Sequence, residues 1–225
     1  GTHPRYLVHV PNSRWQSLVT LVNVSGLENT ITFKPVTGHG SQNEDIILSP
    51  HEKKTFDIGS FFDLDIAGSG NRLALQATGS QDFSAHITYY KTGSKDQLTL
   101  PLMDSGQFRS ALAVPYVPAN TDVWWTGIVL DNMSAEPADI QVKAHSTSGQ
   151  ELQTLQDTIS LEAGCSASYL ARQLVSEELF KDLLYLSFES STSSLGGLYI
   201  YGNHSCSMIT GSMMTPVSSS SSTPQ

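Results

Sequence analysis

Charge is scarce in this chain: Asp, Glu, Lys and Arg together make up 15% of its 225 residues. Basic side chains are the scarcer kind, 12 Lys and Arg against 21 Asp and Glu, for a formal net charge of −9. The deficit is concentrated late, since residues 105–225 carry four basic against eleven acidic side chains. So acidic a surface repels phosphate backbones, which argues against nucleic acid as a partner. Long hydrophobic runs are missing too. Nothing approaches eighteen consecutive apolar residues, so no transmembrane segment is expected. No signal peptide is visible, and because the chain opens on Gly1-Thr2 rather than Met, we expect a targeting segment to have been trimmed away.

Catalytic signatures are equally thin. No Gly-x-Ser-x-Gly elbow occurs, and no Gly-rich phosphate loop precedes a helix. The seven histidines (His3, His9, His39, His51, His86, His145 and His204) lack the close pairing that zinc sites use. His204 stands two residues before Cys206, but two ligands do not make a site. Glu177-Glu178 suit a helix N-terminus better than paired acid–base work. The expectation is a chain that is not an enzyme.

What is present is a repeat. Trp124 to Asn132 (Trp-Trp-Thr-Gly-Ile-Val-Leu-Asp-Asn) matches Trp15 to Asn23 (Trp-Gln-Ser-Leu-Val-Thr-Leu-Val-Asn) at a constant displacement of 109 residues. The match runs on through Ser25/Ser134, Ile31/Ile140 and Lys34/Lys143 to Gly40/Gly149. Beyond the Gly-containing turns the displacement becomes 113, pairing Ile46 with Ile159, Leu48 with Leu161 and Phe56 with Tyr169. The duplication predicts two units, residues 1–104 and 105–215, followed by a Ser/Thr/Pro-rich tail or linker at 216–225.

Within each unit the apolar residues alternate. Ile31 and Phe33 match Ile140 and Val142 on one face, while Thr32 and Lys34 match Gln141 and Lys143 on the other. Period two with one wet face argues for antiparallel strands. Seven or eight short strands per hundred residues, separated by turn signals, describe a β-sandwich of immunoglobulin-like size. The fold class read from the sequence is therefore all-β, two tandem antiparallel β-sandwich domains. One short helix is expected in the second, where Leu174 to Leu184 carries apolar residues at helical spacing behind a possible cap, Ser176.

The second unit also carries a resemblance. A Val-Pro opening, the strand Trp-x-Thr-Gly-apolar-x-Leu-x-Asn, a polar-Gly turn and Ser193-Ser-Leu-Gly-Gly-Leu-Tyr-Ile-Tyr-Gly202 follow one another in order. In this it resembles the immunoglobulin-like β-sandwich repeats of bacterial secreted and surface proteins. The resemblance covers about Val114 to Gly202 well and Val10 to Tyr90 more weakly. It implies a fold and an extracytoplasmic location (periplasm, cell surface or secreted), with a protein or glycan at the cell surface as partner. It carries over no active site.

Four features remain as candidates. Trp125 has Gln16 as its repeat partner and should point away from the core, beside Gly127. An outward indole next to glycine could stack on a ligand such as a sugar, or could pack under a loop or the other unit. Asp63, Asp65 and Asn71 place oxygen ligands on a Gly-containing loop, the ingredients of a calcium site, though the spacing is not that of an EF-hand. Cys165 and Cys206 are either two packed thiols or one disulfide. The Asn-x-Ser sequons at Asn23, Asn132 and Asn203 could accept glycans, but both strand-ending Asn residues could equally hold turns by bonding the backbone two residues on. The function expected is a non-catalytic structural or adhesion module, with carbohydrate binding through Trp125 as the alternative.

Overall fold

The computed structural model describes residues 4–7, 9, 15–36, 43–61, 74–91, 93, 96–192, 194–205 and 208–217. The first half supplies β1 (Arg5–Leu7), β2 (Trp15–Asn23), β3 (Asn29–Pro35), β4 (Glu44–Leu48), β5 (Lys53–Asp57), the single turn α1 (Ile58–Phe61), β6 (Leu75–Gly79), β7 (Phe83–Lys91), β8 (Gln97–Pro101) and β9 (Met103–Asp104). The second supplies β10 (Ala111–Val114), β11 (Trp124–Asn132), β12 (Ala138–Ser146), β13 (Glu151–Leu152), β14 (Thr158–Leu161), β15 (Ser166–Leu170), β16 (Leu183–Ser190), β17 (Leu195–Asn203), β18 (Ile209–Met213) and β19 (Thr215–Pro216). The protein is all-β and its strand pairs are antiparallel.

The two halves pair their strands in the same order. In the first half one sheet runs β4-β3-β6-β1-β9 and the other β5-β2-β7-β8. In the second the counterparts run β13-β12-β16-β10-β19, with β14 also on β12, and β15-β11-β17-β18. Registers agree residue by residue. Ile31 faces Ile46 where Ile140 faces Ile159, and Val19 faces Phe56 where Ile128 faces Tyr169. These are the pairs aligned from sequence at displacements of 109 and 113.

Alternation explains the cores. Val19, Leu21, Ile31 and Phe33 are fully buried in one cluster, drawn from both sheets of the first half. Ile128, Leu130, Ile140 and Val142 do the same in a second cluster. Each half thus closes two sheets over one apolar layer, as strands of period two require.

In each half the turn that crosses from one sheet to the other, β2 to β3 and β11 to β12, hangs on one buried Asn. Asn132 Oδ1 accepts from the Ser134 amide at 3.1 Å and from its hydroxyl at 2.6 Å. Its Nδ2 donates to the carbonyls of Glu136, Leu161 and Glu162. Asn23 repeats the set with Ser25, Leu27, Leu48 and Ser49. Both are turn holders with almost no exposed surface, and a glycan on either Nδ2 would replace one of the two N–H donors that these carbonyls share. The next turn also repeats, with His51 and Gly164 both in the left-handed region at φ 61°.

Two expectations change. The short helix of the second half is a 3-10 turn, Glu177–Leu179, with Ser176 at its N-cap position, and Leu183 onward is strand because cross-strand pairing with β12 wins over helical spacing. Trp124, which alternation places on the core face with Ile128 and Leu130, is half-buried, as Trp15 is. It begins its strand at the rim, where the layer is no longer closed.

The halves do not merely follow one another. Val129 and Leu198, on β11 and β17, are buried in the first half's cluster, with Ile200, Ile209 and Met213 packed against it. Strands β11 and β17 are therefore buried on both faces. β18 lies along β8, an approach allowed by Gly211, whose missing Cβ would sit 3.1 Å from a Leu98 methyl and 2.3 Å from the Tyr199 carbonyl. The connection is short: the 3-10 turn Ser105–Gln107, then Phe108, edge-on to Tyr6 at 4.9 Å and against Gly196.

Candidate functional site

Where β11 leaves the sandwich, the junction opens into a cavity of about 330 Å³. Its walls include all three tryptophans of the chain, Trp15, Trp124 and Trp125. Trp15 opens β2 and Trp124 opens β11 at equivalent positions, and the packing of the second half on the first brings the two strand ends together.

Trp125 takes its pose from two glycines. It faces Gly202 across the β11–β17 pair, and a Cβ at Gly202 would fall 2.0 Å from indole carbons. Gly127 supports the ring's other end, its virtual Cβ lying 3.2 Å from Cζ3. The equivalent first-half pair is Gln16 opposite Tyr90, so bulk is exchanged between neighbouring strands: Trp over Gly in one copy, Gln beside Tyr in the other. The indole is half-buried and forms a wall, not an open outward platform. On its far side a second hollow of about 390 Å³ is lined by His9, Tyr89, Gly127 and Tyr169. Tyr89 donates to the His9 carbonyl at 2.9 Å. Burial first, and then the Asp131 carboxylate, push its pKa far above the ordinary phenol range, so it stays a neutral donor.

The first cavity is basic. Lys91, Arg172 and His204 line it, and no acidic side chain does so among the described residues. Lys91 Nζ lies 3.9 Å from the Asp96 carboxylate. These residues escaped sequence reasoning because no linear spacing joins them. The one readable signal was the departure of Trp125 and Gly127 from the repeat.

A third hollow, on the outer face of β12 and β16, is polar. His145 Nε2 lies 2.9 Å from Ser187 Oγ, and the imidazole stacks on Tyr185 at 4.2 Å. Burial lowers the His145 pKa, opposed by Glu151 across the strand pair. A hydroxyl–imidazole pair is the start of a nucleophilic site, but the ring is fixed by stacking and sits in a cross-strand ladder with Lys143 and Glu189, themselves paired at 2.9 Å.

Of the other candidates, Asp63, Asp65, Asn71 and Cys206 lie outside the described residues. Among the described residues no group of three or more His, Cys, Asp or Glu could hold a metal ion. Cys165 is half-buried behind the left-handed turn, and burial followed by Glu162 raises its thiol pKa. Asn203 makes the same Asx turn as its counterparts, accepting from the Ser205 amide at 2.8 Å. No described helix is long and apolar enough to cross a membrane.

Neither a family model nor a curated protein matches the chain. Among solved structures it is similar to a Bacteroides uniformis β-glucuronidase, at 14% identity over 93% of this chain and 25% of that one, with a TM-score of 0.22. B. uniformis β-glucuronidase 2 bound to cyclophellitol-6-carboxylate aziridine gives 12% identity over 93% and 25%, with a TM-score of 0.19. The chain spans about a quarter of the structures it matches. Similarity at that level carries no functional argument.

Proposed function

We propose that this chain is a non-catalytic structural or adhesion module of an exported bacterial protein, built from two immunoglobulin-like units (1–104 and 105–215) and serving as a rigid spacer or interaction domain outside the cytoplasm. The observation that carries the proposal is the burial of Val129 and Leu198 of the second half in the core cluster of the first. Domains joined by a polar contact move relative to one another by default, whereas a shared apolar layer holds them as one piece. A spacer needs that stiffness. The resemblance of the Trp-x-Thr-Gly strand and the Leu-Gly-Gly-Leu-Tyr-Ile-Tyr strand to bacterial surface repeats supports the location.

Small-angle scattering across a range of salt concentrations tests the stiffness. One rigid shape is expected throughout, and a profile that only a mixture of inter-unit orientations can fit would sink the proposal. A second reading, carbohydrate binding through Trp125, is favoured by one specific observation: three half-buried tryptophans line one cavity. Glycan-array binding of the wild type against Trp125→Ala tests it, and equal signals on every glycan would remove it.

A further inference from the structure

We infer that the junction cavity binds an anionic sugar, which lays a ring face on the tryptophan walls and sets its acidic group against Arg172. The inference rests on the carbohydrate reading and adds to it the charge of the ligand.

Three observations converge. The first is aromatic. Every tryptophan in the chain reaches this one cavity, although they come from strands 109 residues apart and from both halves. A core role would bury them as it buries Phe33 and Phe188, which are fully inaccessible. Instead all three stay only partly buried, Trp15 while resting against the first half's core cluster, an arrangement that keeps some apolar surface in water until something covers it. The fit of Trp125 over Gly127 and Gly202 holds one indole in a fixed pose before any ligand arrives, which lowers the ordering cost of binding.

The second is electrostatic. The chain has 21 acidic and 12 basic residues, yet the described lining holds Lys91, Arg172 and His204 and no carboxylate. Arg172 is one of only four Lys and Arg in residues 105–225. Among the described residues no acidic side chain forms an ion pair with it, while the Lys91 charge is partly answered by Asp96. A guanidinium with its fork unoccupied matches the two oxygens of a carboxylate or sulfate. In an acidic protein such a spot also concentrates anions that the rest of the surface repels.

The third is size and polarity. About 330 Å³ falls at the small end of the range for small-molecule sites, roughly 300–1,000 Å³. Thr121 and Thr126 put hydroxyls on the same lining, able to exchange hydrogen bonds with sugar hydroxyls. A fully apolar ligand would leave those groups and Arg172 unanswered. A simple inorganic anion would leave the indoles uncovered.

All three tryptophans line this cavity, so their fluorescence responds to its occupancy, and Arg172, which lines it but not the second hollow beside Trp125, ties the response to this site. The whole chain is titrated with tri-galacturonate and with galactotriose, its neutral counterpart, for the wild type, Arg172→Gln and Trp125→Phe. Arg172 is exposed, so its variant should unfold at the wild-type temperature. The acidic sugar is expected to give a saturable change, about tenfold tighter than the neutral one and about tenfold weaker in Arg172→Gln, as one charge-assisted contact requires. Trp125→Phe, which keeps an aromatic wall, should retain the preference for the acidic sugar. Equal affinity for both sugars, or no change in Arg172→Gln, overturns the inference and leaves the carbohydrate reading standing. No saturable response to either sugar overturns both.

Discussion

The two halves share a strand order and registers, and differ on the surfaces that meet. On the outer face of β2 and β7 the first half carries Thr20, His86 and Thr88, with Thr20 bonded to Thr55 and Thr88 to Thr99. At the equivalent positions the second half carries Val129, Leu198 and Ile200, which pack into the first core. The inner side of the β8 edge reverses the pattern. There the first half has buried Leu98 and Leu100, while the second half has exposed Thr210 and Ser212 on β18. One fold has been given an apolar socket in one copy and an apolar plug in the other.

The largest effect expected from breaking this comparison concerns what the halves share. Asn23→Ala and Asn132→Ala should each cost about 4 kcal/mol, because each leaves buried carbonyls and an amide without a partner. Chemical denaturation should find the two losses alike, and a near-neutral result at either would mean that the turns are held by something else.

Next come the surfaces that differ. Leu100→Ser, at a buried socket position, should cost about 3 kcal/mol through lost burial and an unfilled cavity. The reciprocal Ser212→Leu should leave stability within about 0.5 kcal/mol, since it changes an exposed site. It should instead promote self-association, read by sedimentation, by giving β18 the apolar edge that joins the halves.

Smaller again is the exchange of bulk beneath Trp125. Gly202→Ala should cost about 2 kcal/mol by forcing the indole off its strand. In combination with Trp125→Gln, which puts the first-half residue in place of the indole, most of that loss should disappear in a double-mutant cycle. Additive losses would show that the indole and Gly202 are not coupled.

The smallest effect is electrostatic. Burial lowers the folded pKa of His145 below its unfolded value near 6.5. The unfolded chain then binds the proton first, and the stability His145 contributes is present above that pH and is lost as pH falls through it. His145→Gln should flatten the pH dependence between neutral and mildly acidic conditions. The equivalent first-half residue, Val36, has no such dependence to lose.

Much of this was legible in the sequence. The displacements of 109 and 113 matched positions that take the same register in each half, because registers are fixed wherever one face is buried. Asn23 and Asn132 read as turn holders for the same reason: both copies needed the same bonds. The plug was legible in principle. Thr20, His86 and Thr88 become Val129, Leu198 and Ile200 in aligned strands, and a strand apolar on both faces announces burial on both. The cavity was not legible, since Lys91, Arg172 and His204 meet only after one half docks on the other. Helical spacing at Leu174 to Leu184 gave the short helix, which is the 3-10 turn Glu177–Leu179, but overran its end because Leu183 onward belongs to β16, an interior strand whose pairing local propensity does not record.

The central claim is that residues of the second half complete the core of the first. Hydrogen exchange by mass spectrometry on Leu198→Ala tests it most directly. Leu198 belongs to the second half by sequence and is fully buried in the first half's cluster, so its truncation should cost roughly 2–5 kcal/mol. The account expects amides in β2, β7 and β8 to lose protection alongside those of β17. Loss of protection confined to the second half would contradict it.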